Sequence, residues 1–169
     1  MNFEDIVTKI SESFGESVIE EKNEDGLMPF IVISKEKLLK VCSFLHETEG
    51  LYFDMLSCIT GIDLGVDIGE MEVVYNLYSI PYNHSLTLKI RFERTIEGNS
   101  LPCAPSLTGI WQTANWHERE TYDLMGVYFE GHPDLRRILL PEDWEGYPLR
   151  KDYEEQEKYH GIKVQYERD

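Results

Sequence analysis

Phe3, Ile6, Val7, Ile10 and Phe14 recur at the spacing of one helical face. Asn2 and Asp5 stand in capping positions and Gly15 follows the last turn, so the pattern predicts a helix over residues 3–14. Residues 17–22 and 27–34 read as two strands around Asn23-Glu24-Asp25-Gly26, whose Asp-Gly pair supplies the positive φ of a hairpin turn. Pro29 cannot donate to a ladder and predicts a sheet edge for the second strand.

Leu38, Val41, Cys42 and Leu45 share the face of a second predicted helix over 35–48, with Ser34 as cap and Gly50 as stop. An apolar strand is expected over 51–60 and a turn-rich stretch over 61–69. A hairpin of strands is expected over 71–80 and 84–93. In its second strand Leu86, Leu88, Ile90 and Phe92 alternate with Ser85, Thr87, Lys89 and Arg91, which buries one face only. The order helix, strand, strand, helix, strand, strand, strand predicts an α+β two-layer sandwich with a mostly antiparallel or mixed sheet.

From Gly98 the pattern changes. Pro102, Pro105, Pro133, Pro141 and Pro148 punctuate the chain, and one short helix is predicted over 116–125, capped by Asn115 with Glu118 three residues on and stopped by Gly126. The remainder is irregular yet rich in Tyr, Trp, Phe and Leu, which favours a segment laid on a partner over a disordered tail. The expected organisation is a core domain over 1–97 and a Pro- and aromatic-rich, partner-binding arm over 98–169.

The length of 169 residues fits one domain with such an extension. Sixteen Lys and Arg stand against 32 Asp and Glu, a net charge of −16 that disfavours nucleic acid and anionic lipid. No apolar run is long enough to span a bilayer, and the Met1 segment lacks the basic start and apolar stretch of a signal peptide. Cys42, Cys58 and Cys103 are odd in number and widely spaced, which predicts reduced thiols in a cytoplasmic setting; Cys42 and Cys58 lie in apolar surroundings and are expected in the core. The first arginine is Arg91, so the forked cations suited to carboxylate pairing are confined to the second half.

Candidate chemistry is sparse. Glu118, Glu120 and Asp123 can be read as acid/base carboxylates, but Glu118 and Glu120 point to different sides of one helix, and an Arg119–Asp123 pair at i, i+4 is the plainer expectation. His132 in Gly131-His132-Pro133-Asp134 has no ligand-type spacing to His117 or His160, so a structural loop with Asp134 orienting His132 is preferred. Arg136-Arg137 and Arg150-Lys151 are expected to meet carboxylates. No phosphate-cradling loop, nucleophile elbow or iron–sulfur spacing is present, so no metal, flavin or nicotinamide is expected on this chain.

The run WHERETYDLMGVYFEGHPDLRRILLPEDWEGYPLRKDY over 116–153 resembles the signature of the 30-kilodalton subunit of respiratory NADH:quinone oxidoreductase, complex I. The elements that carry the resemblance are Glu118-Arg119-Glu120, Asp123, Leu124-Met125, His132, Arg136 and Pro148-Leu149-Arg150-Lys151-Asp152, with Ala114-Asn115-Trp116 upstream. Glu154 departs from the Pro that many relatives place after the Lys-Asp-aromatic triplet.

The resemblance implies a subunit of the peripheral arm without a redox centre, packed on the large, hydrogenase-like subunit that frames the quinone site and near iron–sulfur subunits. FMN, iron–sulfur clusters, NADH and quinone belong to those partners, and ion pumping to the whole complex. It further implies a location on the cytoplasmic side of the bacterial membrane, held through partners. The interface is expected to use Glu118, Arg119, Glu120, Asp123, His132, Asp134, Arg136, Arg137, Arg150, Lys151 and Asp152. An equivalent subunit of a membrane-bound hydrogenase or formate hydrogenlyase is the alternative, and a stand-alone hydrolase using Glu118, His132 and Asp134 a distant one.

Overall fold

A computed structural model describes residues 1–25, 27–94 and 100–164. Gly26 of the expected turn and the expected boundary at residues 97 and 98 lie outside the described residues. Helix α1 (Phe3–Phe14) starts from a reciprocal capping box between Asn2 and Asp5 and buries Ile6, Val7 and Ile10. After a 3₁₀ turn (Glu16–Val18), β1 (Ile19–Asn23) pairs antiparallel with β2 (Phe30–Ile33). A second 3₁₀ turn (Lys35–Lys37) leads into α2 (Leu38–Glu47), and Ser34 spends its hydroxyl on Glu36 rather than on capping the helix. The strands β3 (Met55–Gly65), β4 (Glu70–Ser79) and β5 (His84–Glu93) complete the main sheet.

The sheet order is β1-β2-β5-β4-β3, all neighbours antiparallel except β2 with β5, so the sheet is mixed. This revises the edge expectation. The strand β2 lies between β1 and β5, and Pro29 stands just before it, where no ladder N–H is required of it. The stretch over 61–69 is also less turn-rich than expected, because β3 continues to Gly65 with two register shifts before the turn begins.

One face of the sheet carries Met71, Val73, Tyr75, Leu77, Leu86, Leu88, Ile90 and Phe92 into a single core with the apolar residues of α1 and α2. The alternate positions form a charged face: Glu72 receives Lys89 and Arg91, each at 2.9 Å, and Arg91 also reaches Glu21. The core does not stop at β5. Ala104, Leu107, Trp111, Ala114, Met125, Val127 and Phe129 belong to it. The Trp111 indole donates to the Phe53 carbonyl (2.9 Å) and the Thr113 hydroxyl to that of Leu56 (3.2 Å).

Here β6 (Cys103–Pro105) pairs parallel with β7 (Tyr128–Glu130), and α3 (Ala114–Met125) runs between them. The helix begins earlier than expected: Asn115 lies inside it, and Thr113 precedes it without a side-chain cap. It approaches β3 at Gly61, where an added Cβ would meet Thr121 at 2.8 Å and Met125 at 3.2 Å. Beyond β7 only the small hairpin β8 (Lys158–Tyr159) and β9 (Ile162–Lys163) is regular among the described residues.

Candidate functional site

Glu118, Arg119 and Asp123 of the α3 motif turn inward, whereas Glu120 stays exposed. Asp123 is fully buried. Its Oδ2 accepts the backbone N–H groups of Ile138 (3.0 Å), Leu139 (2.7 Å) and Leu140 (2.9 Å), and its Oδ1 accepts Arg137 at 2.7 Å. Burial alone raises a carboxyl pKa, but the three amides and the guanidinium outweigh it and hold Asp123 below its ordinary value. The expected Arg119–Asp123 pair is absent. Arg119 donates instead to the carbonyls of Arg136 and Arg137, each at 3.1 Å, because the returning chain occupies the position the i, i+4 pair would need.

The same chain completes the C-terminal end of α3. A helix leaves its last carbonyls without partners. Here Arg137 donates to the Asp123 carbonyl, the Leu149 N–H to Leu124, and Arg150 to Met125 (2.8 Å) and Gly126 (3.2 Å). Two cations at this end also suit the helix dipole. Gly126 takes the left-handed conformation that ends α3, and a Cβ there would collide with the Tyr147 ring at 2.6 Å. That ring lies against both Arg137 and Arg150, 5.4 and 5.1 Å from its centroid.

A second buried carboxylate, Asp63 on β3, fastens the segment farther on. It receives both Nε (2.8 Å) and Nη2 (3.1 Å) of buried Arg94 and the Lys151 N–H (2.8 Å), while Arg94 also pairs with Asp152. Burial raises the Asp63 pKa, but these bonds prevail and bring it to about 2. The Lys151 ammonium reaches the Leu64 carbonyl at 3.1 Å. Asp63 and Arg94 escape a reading of the sequence; their only signal is a charged residue at the end of each of two apolar stretches.

Glu118 is also fully buried but meets no cation. Its Oε1 accepts the Leu107 N–H (2.6 Å) and its Oε2 the Ser106 hydroxyl (2.7 Å); burial prevails over these bonds and lifts its pKa to about 7. Ser106, and Tyr75 beside this carboxylate, escape the sequence in the same way.

His132 binds the Asn115 carbonyl through Nε2 (3.1 Å) and accepts the Asp134 N–H at Nδ1 (3.0 Å), which assigns the Nε2–H tautomer. Its orienting group is thus the backbone of Asp134, since the carboxylate engages Arg136 at 3.0 Å. Neither the Glu118 carboxylate nor the Asp134 carboxylate is hydrogen-bonded to His132, so the hydrolase constellation is not assembled. Cys42 is buried as expected, whereas Cys58 is only half-buried, its thiol 3.5 Å from the Thr60 hydroxyl. Among the described residues no three His, Cys, Asp or Glu side chains gather as a metal site, and no helix is long and apolar enough to cross a membrane.

The outward side of the motif carries large apolar side chains among its charges. Trp116 is 71% exposed, Leu139 61% and Leu149 58%; Glu120 and Arg136 are exposed beside them in sequence. Leu149, Leu124, His117 and Glu120 line a groove of about 190 Å³ against Cys58, Ile59 and Thr60 of β3.

Residues 31–159 match the family described as "Respiratory-chain NADH dehydrogenase, 30 Kd subunit". The chain is 46% identical over 159 residues to an NADH-quinone oxidoreductase subunit of Chloroherpeton thalassium, covering 93% of this chain and 63% of that protein. It is 42% identical to the equivalent subunit of Chlorobium phaeobacteroides, covering 93% of this chain and 92% of the relative. Its fold is similar, with a TM-score of 0.75 and 26% identity over 98% of this chain and 95% of the other, to a chain in the structure of the membrane-bound sulfane sulfur reductase, an archaeal respiratory membrane complex.

Proposed function

The chain belongs to the respiratory-chain NADH dehydrogenase 30 Kd subunit family, and from that membership we propose that it is a non-redox structural subunit of a proton-translocating NADH:quinone oxidoreductase. In this reading it sits in the peripheral arm, on the cytoplasmic side of the membrane, and supports the large quinone-site subunit while NADH, FMN, iron–sulfur clusters and quinone are handled by partners. Residues 1–97 form the core domain and 98–169 the partner-binding arm. The first part of the arm, to Phe129, is fastened into the core while holding Trp116 outward, and Arg136, Leu139 and Leu149 beyond it extend the docking surface.

The observation that carries this reading is the division of labour along the motif. Asp123, Arg119, Arg137, Arg150 and Asp152 are spent on fixing the path of the chain, while Trp116, Leu139, Leu149 and Arg136 are held outward. Aromatic, aliphatic and arginine side chains on a rigid support are the usual anchors of an interface. A second reading, an equivalent subunit in a respiratory membrane complex with another electron donor or acceptor, is favoured by the likeness to the sulfane sulfur reductase chain. The higher identity to NADH-quinone oxidoreductase subunits favours the first.

The test compares assembled complex, by native gel and co-purification, with donor-to-quinone turnover per assembled complex. Trp116→Ala and Arg136→Ala are expected to lower the amount assembled and to leave turnover per complex unchanged. Normal assembly with turnover lost would refute the structural role.

A further inference from the structure

Glu118 is a buried carboxylate like Asp123 and Asp63, but it differs from them in having no cation beside it. Arg119 is committed to the Arg136 and Arg137 carbonyls. The groups that face Glu118 are the Leu107 N–H and Ser106 hydroxyl of the loop before α3 and, from β4, the phenol of Tyr75. The Tyr75 hydroxyl is fully buried without a hydrogen-bond partner, and its own pKa is held well above the usual value by burial, then by the charge of Glu118, then by Cys42 of α2. None of these groups supplies positive charge, so an ionised carboxylate here is stabilised by two neutral donors alone.

The second observation is a connection to solvent. The Ser106 hydroxyl lies 2.8 Å from the Thr108 hydroxyl, and Thr108 is half-buried at the protein surface. Ser106 Oγ also accepts the Thr108 N–H at 3.2 Å. Oxygen atoms in series thus run from the buried Glu118 Oε2 through Ser106 to Thr108, each within hydrogen-bond distance of the next.

We propose that Glu118 is a proton-binding site of this protein, loaded and emptied through the hydroxyls of Ser106 and Thr108. This inference goes beyond the docking role and does not rest on it. In the ionised state Thr108 donates to Ser106 and Ser106 donates to Glu118. When a proton arrives from water at Thr108, the Thr108 proton passes to Ser106 and the Ser106 proton to Glu118 Oε2. The carboxyl O–H then donates to Ser106, Ser106 to Thr108, and Thr108 to water. One proton has moved inward, no heavy atom has had to leave its place, and both hydroxyls have reversed direction. Oε1 keeps the Leu107 N–H throughout, so the loop stays attached in both states.

Infrared titration of the full chain from about pH 5 to about pH 9 tests the site through the C=O stretch of the protonated carboxyl. Expected is one band with a midpoint of about 7 that is missing in Glu118→Gln. Should that variant fail to fold, wild-type chain carrying ¹³C-labelled glutamate assigns the band to a glutamate by its isotope shift, and the change of its midpoint in Ser106→Ala, whose hydroxyl is bonded to Glu118 Oε2, assigns it to Glu118. Ser106→Ala removes a bond that favours the carboxylate and is expected to raise the midpoint. Thr108→Val is expected to keep the midpoint while slowing the band's response to a pH jump by about tenfold or more. A Glu118 band absent down to pH 5, or undiminished at pH 9, overturns the site; an unchanged response in Thr108→Val overturns the route.

Discussion

Glu118 and Asp123 occupy neighbouring turns of α3, are equally buried, and have opposite electrostatic fates. Asp123 is surrounded by three amides and a guanidinium, and its pKa falls. Glu118 has one amide and one hydroxyl, and its pKa rises to about 7. Burial is common to both, so the count and charge of the donors decide the sign. The consequence is mechanical as well as electrostatic: the Asp123 side clamps the arm with a fixed charge, whereas the Glu118 side holds the loop over 106–113 through a group that can change its charge.

The clamp gives the largest expected effect. Asp123→Ala leaves Arg137 without its carboxylate and the amides of Ile138, Leu139 and Leu140 without an acceptor, a loss of roughly 3–5 kcal/mol for breaking one side of a buried pair. Urea denaturation should show this loss, and limited proteolysis should cut the segment over 131–150 sooner than in wild type. A cost near zero would mean that the arm is fixed elsewhere, and the contrast between the two carboxylates would have no mechanical content.

The pH dependence of stability comes next. Glu118 has a folded pKa of about 7 against an ordinary 4.5, so between these values the folded chain holds a proton that the unfolded chain releases. Its contribution is therefore full below 4.5 and is lost as pH rises through about 7, by roughly 3 kcal/mol. Glu118→Gln reproduces the neutral state, its amide donating to Ser106 and its carbonyl accepting Leu107. It should match wild type at acid pH and exceed it at pH 8. Asp63 and Asp123 act with the opposite sign. Asp63, lowered from 3.8 to about 2, contributes above 3.8 and loses that contribution as pH falls towards 2. Denaturant midpoints measured across pH in both proteins separate the limbs; a Glu118→Gln profile parallel to wild type between pH 4.5 and about 7 would remove Glu118 from the difference.

The part of this arrangement visible in the sequence is the local part. The helix over 3–14 with its Asn2 cap, the strand pair over 71–80 and 84–93, the end of α3 at Gly126 and the α+β class all follow from periodicity and from glycine and capping chemistry within a few residues. What depends on a distant partner is hidden. Nothing near Pro29 says that β2 will insert beside β5, since that pairing joins Phe30 to Thr87. Arg119 has a carboxylate at the right helical spacing, yet the chain returning from β7 offers two carbonyls and leaves that carboxylate to Arg137. Asp63, Arg94 and Asp152 come from three separate segments. Glu118 is legible as an acid, but its missing countercharge is a property of packing.

The smallest expected effect on the isolated chain belongs to the neighbour of the clamp's arginine. The Arg136 side chain is 65% exposed and pairs with Asp134, which is 54% exposed. Pairs of this kind add little to stability because solvent screens them and long side chains lose freedom in making them. The group of Arg136 that is tied down is its carbonyl, which accepts Arg119 and survives replacement by alanine. Arg137 is the reverse case, its guanidinium shared among Asp123 and the carbonyls of Trp144 and Gly146. Arg137→Ala should therefore destabilise the isolated chain much as Asp123→Ala does, while Arg136→Ala should leave its denaturation midpoint unchanged. Measured beside co-purification of the partner subunits, the pair separates fastening from docking: an Arg136→Ala chain of full stability that assembles poorly places this arginine at the interface. If Arg136→Ala instead lowers stability as far as Arg137→Ala, both arginines fasten the arm, and Trp116, Leu139 and Leu149 remain to carry the contact.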